Sequence, residues 1–426
     1  MTNLIKTVFH DLKRQPVLGV LSVVGSAIAI YLIMIVVMLQ DVKTAPIAPE
    51  SRRDRFLHCT YGSFHGEGNV RFNRPYSYNF IRKYFYNLSE PESVTAYSID
   101  SSESVVSVPG RHTVGVERRL TDANFWRVFD FTFIAGAPYT TDDVDAAMPL
   151  AVITESVARS LFGSTDVAGR EFSIDYKPMR VCGVVRDVTP LATKAYSQVW
   201  LPITCYSDDA SPYAGNLSVT MLAPSVNKMD AVRQEYIRSM ESVAADTDGG
   251  MSLEIMNRPY DQWTETCTQI WANVSPDVDG ERRDRMLIYL VLFIVPAVNL
   301  MEMTRSRMRR RYAEIGVRRA FGCNRMGVIR SVLAENLVLT LIAGMIGLAL
   351  AFGTCIIFGS DLFASPSSVF KGMPRMLVSP TDIMRLSTFG WALLAAFILN
   401  LLSTGIPAIR ASRINIVNAL SGNTVK

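Results

Sequence analysis

The sequence predicts an α-helical membrane protein with four transmembrane helices and one large mixed α/β domain outside the membrane. Three observations support this fold class. The mean hydropathy is +0.18 and only 19% of the 426 residues are charged. The apolar excess is concentrated in four windows without Asp, Glu, Lys or Arg. The basic residues are concentrated on one side of those windows, which indicates a fixed orientation in a bilayer.

The four windows differ in length. They cover residues 15–40, 286–301, 336–360 and 386–409. Crossing the hydrocarbon core takes about 20 residues of helix, so the second window, with 16 residues, is short and needs Met303 and Thr304 to extend it. A buried core helix is the alternative for that window. The predicted spans are residues 16–40, 286–304, 331–360 and 386–409.

The first span is predicted to be a signal anchor, because its apolar stretch is longer than that of a cleavable signal peptide. Residues 1–15 carry an apolar stripe opposite charged positions such as Lys6 and Lys13. This pattern predicts an amphipathic helix that lies on the lipid interface. A frayed polar leader is the alternative.

The charge distribution orients the predicted spans. Residues 41–285 contain 25 basic and 33 acidic residues, a net charge of −8, whereas the rest of the chain has a net charge of +12. Basic loops stay in the cytoplasm. We therefore expect residues 305–330, both termini and the tail 410–426 to be cytoplasmic. Residues 41–285 and a short loop at 361–385 are then external.

The external block is predicted to fold as mixed α and β structure in two subdomains, one β-rich and the other porter-like and containing a β-α-β unit. Thr154 is the expected N-cap of a short helix that ends before Gly163. The last three segments in the following list are expected to form the β-α-β unit. The predicted elements are strands 104–108, 150–153 and 179–185, helix 154–162, strand 217–222, helix 227–245 and strand 253–256.

Known catalytic and metal-binding patterns are missing from the sequence. It contains no G-x-x-x-x-G-K-[ST], G-x-S-x-G or H-E-x-x-H motif, so no ATP binding through a P-loop is expected. No C-x-x-C is present and there are only four histidines, which argues against a structural zinc site. An external enzyme is therefore the least favoured class. The external cysteines have no spacing that selects a disulfide pairing; they are Cys59, Cys182, Cys205 and Cys267.

The most specific pattern lies between the second and third predicted spans. It reads Tyr312-Ala-Glu-Ile-Gly-Val-Arg-Arg-Ala-Phe-Gly-Cys-Asn-Arg325. Residues 120–126, 152–163 and 407–415 carry further matches. Together they resemble the MacB/FtsX-type permeases of ATP-binding cassette (ABC) systems over essentially the whole chain. Ile416 stands where that family usually has proline.

The resemblance implies that residues 305–330 form a stalk and a coupling helix that docks on an ATPase subunit. Glu314 and Arg318, spaced i, i+4, can pair on one face of such a helix. A solvated arginine face that sets topology or contacts anionic lipid is the alternative. The residues implied in ATPase coupling are Glu314, Ile315, Gly316, Arg318, Arg319, Ala320, Phe321 and Gly322.

Two further features concern the third span. Glu335 lies at its membrane edge, where an ionisable residue is either functional or a marker of the interface. Gly344, Gly347 and Ala351 form a stripe of small residues that predicts close helix packing.

The expected function is that of a permease subunit in a bacterial inner membrane. The resemblance implies two cytoplasmic ABC ATPase subunits, which bind the ATP and Mg, and a second identical or homologous permease. It also implies contact with membrane lipid. A periplasmic adaptor or outer-membrane channel is an open possibility. No nucleic-acid partner is expected, and no cofactor is expected in this chain. ATP hydrolysis would move the periplasmic domains for efflux or for lipoprotein or peptide handling. A membrane-anchored sensor or scaffold, or a regulator of cell-wall hydrolases, is the alternative.

Overall fold

The structure is a computed structural model that describes residues 16–66, 70–99, 101–206, 211–246, 250–268, 274–310, 317 and 320–363, with eight isolated positions between 390 and 409. The described residues form two compact units. The helical unit contains residues up to 41 and residues 279–358, and the α/β unit is built on residues 42–278. The predicted interfacial helix 1–15 and tail 410–426 lie outside the described residues, as do most of the loop 361–385 and of the fourth span.

The described helices are α1 Pro16–Asp41, α2 Tyr78–Tyr84, α3 Phe125–Val128, α4 Thr141–Asp145, α5 Glu155–Phe162, α6 Met229–Asp246, α7 Gln262–Thr266, α8 Val278–Arg310 and α9 Arg325–Phe363. The described strands are β1 Phe56–Cys59, β2 Gly62–Gly66, β3 Val70–Arg74, β4 Ser93–Ser98, β5 Ser102–Ser107, β6 Val114–Thr121, β7 Phe133–Gly136, β8 Leu150–Thr154, β9 Glu171–Ile174, β10 Lys177–Val185, β11 Val199–Pro202, β12 Leu217–Leu222, β13 Met251–Glu254 and β14 Tyr260–Asp261.

Two helices in the described part of the chain are long and apolar enough to cross a membrane. They contain the stretches Val23–Asp41 in α1 and Met326–Phe358 in α9. The second predicted span lies inside α8, a single helix that also contains the predicted stalk up to Arg310. Helix α9 begins at Arg325, six residues before the predicted start of the third span. The count of four spans thus stays a prediction.

One large sheet organises the α/β unit. Its strand order is β11-β8-β10-β9-β5-β6-β4-β12-β1-β14, and β7 pairs with β10. Strand β11 also pairs in parallel with β6, which closes six of these strands into a ring. Closing a ring removes free strand edges. A second sheet has the order β13-β2-β3.

Both faces of the large sheet are buried along four of its strands, β1, β8, β11 and β12. In β8, Ala151 and Ile153 point into one hydrophobic cluster, whereas Leu150 and Val152 point into another. Successive side chains of a strand point to opposite faces, so each face carries its own apolar core. The first cluster includes residues from β1 to α6, and the second is rich in aromatic rings such as Phe125 and Trp200. Burial on both faces explains why β8 and β11 are almost continuous apolar runs.

The two predicted subdomains do not separate. Residues 42–278 form one unit, and the ring of strands continues into the rest of the sheet through the pairing of Tyr97 in β4 with Thr121 in β6. A hydrophobic cluster that includes both Ile174 in the ring and Val219 in β12 joins the two parts.

The β-α-β unit occurs at a different place from the predicted one. Strand β8, helix α5 and strand β10 form it, because β8 and β10 pair in parallel. The predicted unit around 217–256 is wrong as a single sheet: β12 lies between β1 and β4, whereas β13 pairs with β2 in the second sheet. Strand β13 also ends at Glu254, since Met256 has a positive φ of 47° that extended backbone does not allow.

Helix α5 starts and stops almost as predicted. Gly163 adopts the left-handed conformation, with φ of 74°, and ends the helix. Thr154 occupies the N-cap position, but its side chain makes no capping hydrogen bond. The cap comes from a distant residue instead, because Asp187 Oδ1 accepts hydrogen bonds from the Ser156 backbone N–H (3.0 Å) and hydroxyl (2.8 Å).

Candidate functional site

The described end of the predicted coupling segment presents apolar side chains to solvent. Val317 and Ala320 are helical, and the Phe321 N–H donates to the Val317 carbonyl at 3.1 Å. Phe321 is 89% exposed and Val317 is 43% exposed. Gly322 has a φ of +94°, which ends the helical turn. Val317 was not among the predicted coupling residues, although its i, i+4 spacing to Phe321 places both on one face.

The other predicted coupling residues lie outside the described part of the chain. They are Glu314, Ile315, Gly316, Arg318 and Arg319. Glu335 lies within α9, but its side chain is not described.

The small-residue stripe of α9 meets α1. A Cβ atom added to Gly347 would lie 2.9 Å from the Ala27 carbonyl oxygen, so only glycine allows this approach. Ala351 is buried in a cluster with Ala27. An added Cβ at Gly344 would meet nothing within 4 Å. Ala343 joins the buried cluster in its place, so the contact follows an i, i+4, i+8 spacing that starts at Ala343.

A polar contact lies on the same pair of helices. The Tyr31 hydroxyl lies 3.2 Å from Thr354 Oγ1. Such hydrogen bonds between helices are worth roughly 0.6 kcal/mol in a membrane, so this one adds modestly to the packing of the small residues.

A buried polar network lies in the α/β unit, and we call it the junction cluster. It ties together three segments: the residues that directly follow α1 in sequence, the loop after β10, and the residues shortly before α8. Its members are Glu50, Arg53, His58, Lys194, Gln262 and Glu265.

The first half of the junction cluster is an ion pair without solvent contact. Arg53 Nε donates to Glu50 Oε2 at 2.7 Å, and both side chains are at most 1% exposed. Glu50 Oε1 accepts from the backbone N–H groups of Lys194 (2.7 Å) and Ala195 (2.9 Å). The Arg53 guanidinium also donates to the carbonyls of Val42, Ala45 and Leu191. A buried pair persists only when further hydrogen bonds satisfy its atoms, as they do here.

The second half is centred on Lys194 and Glu265. Lys194 Nζ donates to Glu265 Oε1 at 2.6 Å and to Thr60 Oγ1 at 3.1 Å. The Thr60 hydroxyl also donates to Glu265 Oε1. Burial opposes ionisation of Glu265, but the adjacent Lys194 ammonium outweighs it and lowers the pKa of Glu265 to about 2. The same pair raises the pKa of Lys194 despite its burial.

His58 connects the two outer segments. Its Nε2 lies 2.9 Å from Gln262 Oε1, and its Nδ1 lies 3.0 Å from Thr220 Oγ1. Burial, aided by the positive charge of Lys194, lowers the pKa of His58 to about 4. The imidazole is therefore neutral at pH 7, with the proton on Nε2 because Gln262 Oε1 is an acceptor. Gln262 Nε2 in turn donates to the Lys43 carbonyl at 2.9 Å.

The junction cluster is held together by ion pairs and hydrogen bonds. Its charged groups are paired and hydrogen-bonded, and no group of three or more metal-binding side chains occurs in the described part of the chain. Sequence analysis missed the cluster, because its members are scattered from Glu50 to Glu265 without a shared motif. Only the sheet, which brings β1 beside β14, makes them neighbours.

Two helices long and apolar enough to cross a membrane, in one chain with an α/β unit, are typical of a membrane-anchored protein. Comparison with known families identifies it further: residues 18–238 match the MacB-like periplasmic core domain and residues 286–416 match the FtsX-like permease C-terminal domain. The chain belongs to the MacB/FtsX-type ABC transporter permeases. Such permeases lie in the inner membrane, and the α/β unit corresponds to the periplasmic domain.

Individual relatives are distant. The chain is 23% identical over 366 residues to the macrolide export ATP-binding/permease protein MacB of Chromobacterium violaceum, which covers 86% of this chain and 49% of that protein. It is 22% identical over 220 residues to the uncharacterized ABC transporter permease YknZ of Bacillus subtilis, covering 51% and 52%. The chain thus spans about half the length of these relatives.

Solved structures of extracytoplasmic domains also match. The periplasmic region of MacB from Actinobacillus actinomycetemcomitans is 18% identical and covers 47% of this chain and 88% of that one, with a TM-score of 0.34. The extracellular domain of YknZ is 11% identical and covers 47% and 99%, with a TM-score of 0.33.

Proposed function

We propose that this chain is a permease subunit that couples ATP hydrolysis by a separate cytoplasmic ATPase to movement of its periplasmic domain. The observation that carries the proposal is the pairing of a MacB-like periplasmic core domain with an FtsX-like permease domain in one chain that has no P-loop. In this proposal ATP and Mg are bound by the partner ATPase, and the 426 residues contain no P-loop motif. Two ATPase subunits and a second permease copy or homologue complete the proposed assembly.

The exposed pair Val317 and Phe321 supports a docking role for the coupling segment. Exposed aromatic side chains next to charged residues are typical anchors of protein interfaces. Phe321 would fill an apolar pocket of the ATPase, and Glu314, Arg318 and Arg319, which are close to it in the sequence, would set the orientation.

Helix α8 supports mechanical transmission. Its 33 residues are described as one helix, and a rise of 1.5 Å per residue makes it about 50 Å long. This exceeds a hydrocarbon core of about 30 Å. As the proposed second span, the helix would extend beyond the bilayer, so that a movement of the ATPase at one end would shift the other end.

The junction cluster is where such a movement would enter the periplasmic domain. It binds the residues after α1 to those before α8 through Gln262, and both to the central sheet through His58. Because its charged members are largely buried and lie in two ion pairs, Glu50–Arg53 and Lys194–Glu265, the junction would resist deformation and pass motion to the sheet.

The proposed cargo follows from the relatives that are named for export of macrolides or pyoverdine. We propose efflux of a small molecule or peptide, or lipoprotein handling, with a periplasmic adaptor or outer-membrane channel as a further partner.

Gentle detergent purification of the tagged chain from its own cells tests the proposal. Recovery of an ABC ATPase, whose hydrolysis rate changes at least several-fold when the permease is present, is the expected result. A chain that recruits no ATPase and leaves the hydrolysis rate of the ATPase unchanged would instead be a sensor, a scaffold or a hydrolase regulator.

A further inference from the structure

A small cleft in the α/β unit combines residues outside the junction cluster with one of its members, Glu265. Its lining includes Tyr61, Asn73, Arg258, Tyr260 and Glu265. These residues come from segments that are far apart in the sequence, so the cleft exists only in the folded unit.

Arg258 is a buried cation without a carboxylate partner among the described residues. Arg258 is only 4% exposed to solvent. One guanidinium nitrogen donates to Ser63 Oγ at 3.1 Å and to the Glu254 carbonyl at 3.4 Å, and the Tyr260 ring centroid lies 5.8 Å away. These partners are neutral. A buried charge without an opposite charge is costly, so the site favours an anion.

Glu265 contributes a second unsatisfied group to the same lining. Its Oε1 accepts from Lys194 and Thr60, but its Oε2 is buried and has no hydrogen-bond partner in the described part of the chain. Among the described residues, the cleft therefore offers no anion to Arg258 and no N–H or O–H donor to Glu265 Oε2.

We propose that this cleft binds the C-terminal carboxylate of a peptide. Such a terminus supplies a planar carboxylate for the guanidinium fork. The amide nitrogen of the last residue is bonded to the same α-carbon as the carboxylate. Its N–H can donate the hydrogen bond that Glu265 Oε2 needs. A free amino acid shares this chemistry, but its α-nitrogen is a charged ammonium.

The charges favour a single negative charge in the cleft. Lys194, 2.6 Å from Glu265, already neutralises that carboxylate, so Arg258 is the one uncompensated charge among the cleft residues named above. A peptide carboxylate brings the sum to zero. A phosphate dianion would leave a net negative charge in the cleft, and a zwitterionic amino acid would leave the positive charge of Arg258 uncompensated.

The test uses the full-length chain in detergent without any ATPase, so its outcome is independent of the proposed coupling function. Binding of the tripeptide Ala-Ala-Ala is measured by calorimetry against its C-terminal amide and against free alanine. We expect the amide to bind at least tenfold more weakly than the free acid. Equal binding of acid and amide overturns the proposal. Alanine binding as tightly as the tripeptide also overturns it, and would assign the cleft to a free amino acid.

Two variants test the assigned residue. Arg258→Met should weaken tripeptide binding at least tenfold. Arg119→Met is the matched control, because Arg119 is equally buried and donates to the carbonyls of Tyr196, Ser98 and Thr193 instead. Binding by Arg258→Met that equals the control's binding would contradict the proposal. The comparison of acid with amide on the unaltered chain remains decisive if Arg258→Met does not fold.

Discussion

The side-chain amide of Gln262 donates a hydrogen bond to the Lys43 carbonyl at 2.9 Å. Lys43 comes two residues after the end of α1, and Gln262 precedes the start of α8 by 16 residues. The chain that enters the periplasmic domain is thus bonded directly to the chain that leaves it. The carbonyl oxygen of the same amide lies 2.9 Å from Nε2 of His58 in the central sheet. This one side chain therefore joins both connections to the domain's core.

The Lys194–Glu265 pair should be essential to the stability of the domain. Lys194→Met leaves the Glu265 carboxylate buried without its cation, and breaking a buried pair in this way costs about 3–5 kcal/mol. We expect a clearly lower unfolding midpoint for the full-length protein in urea, followed by tryptophan fluorescence. The control is Arg159→Met, which removes an exposed i, i+4 pair with Glu155 and should cost about 0.5 kcal/mol or less. Equal losses of stability in Lys194→Met and Arg159→Met would show that the buried pair stabilises the domain no more than the exposed pair does.

His58 should make the domain less stable in mild acid. The folded pKa of about 4 lies below the ordinary value of 6.5, so the unfolded chain binds the proton more readily. The contribution of His58 to the free energy of unfolding is fully present above pH 6.5. It falls between pH 6.5 and 4, by about 3 kcal/mol in total.

Urea unfolding at pH 7, 5.5 and 4.5 measures this dependence. Glu265 adds to the loss only below pH 4.5, because its pKa falls from 4.5 to about 2 on folding. Asp122 has the opposite effect, because burial raises its pKa to about 6. Its protonation therefore stabilises the folded domain as the pH falls towards 4. The variant His58→Gln should remove the His58 component, whereas His65→Gln, at a half-buried ring paired with Glu254, should keep it. An unchanged pH profile in His58→Gln would assign the loss to other groups.

Two glycines of α9 should respond oppositely to alanine. Gly344→Ala adds a methyl group where nothing lies within 4 Å, and it gains up to about 1 kcal/mol of helix propensity. Gly347→Ala makes the same change 2.9 Å from the Ala27 carbonyl, so it should push α9 away from α1 and lower the melting temperature of the detergent-solubilised protein. A Gly347→Ala protein that melts at or above the temperature of Gly344→Ala would refute this helix contact.

Phe321 should be required for retention of the ATPase. Its ring is 89% exposed, so Phe321→Ala should leave folding nearly unchanged and weaken ATPase co-purification at least tenfold, as an interface anchor does. The matched control is Phe358→Ala, which removes another exposed ring from the apolar helix α9. If Phe321→Ala still recovers the ATPase as well as Phe358→Ala does, the docking role of this ring is wrong.

Local patterns were sufficient for several parts of the structure. The uncharged windows located α1 and α9, and Gly163 and Gly322 ended helical turns as their freedom at positive φ suggests. Strand β12 was predicted with the observed bounds, because a run of buried apolar residues is a signal within a single segment. The motif at 312–325 indicated the family that the comparisons confirm. The roles of Glu314 and Glu335 stay predictions.

Long-range relationships were decided only by the tertiary structure. Strand β13 joins β2 rather than β12, and Asp187 rather than Thr154 caps α5, because strand pairing and capping depend on partners far away in the chain. The same holds for Glu50, Lys194 and Glu265. Each is an ordinary charged residue by sequence, and only the sheet that buries them together turns them into the junction of the domain. The sequence by itself determined which segments are apolar, where helices end and which family the chain belongs to, since these are local signals. The pairing of buried charges required the fold, since it is a property of contacts and not of segments.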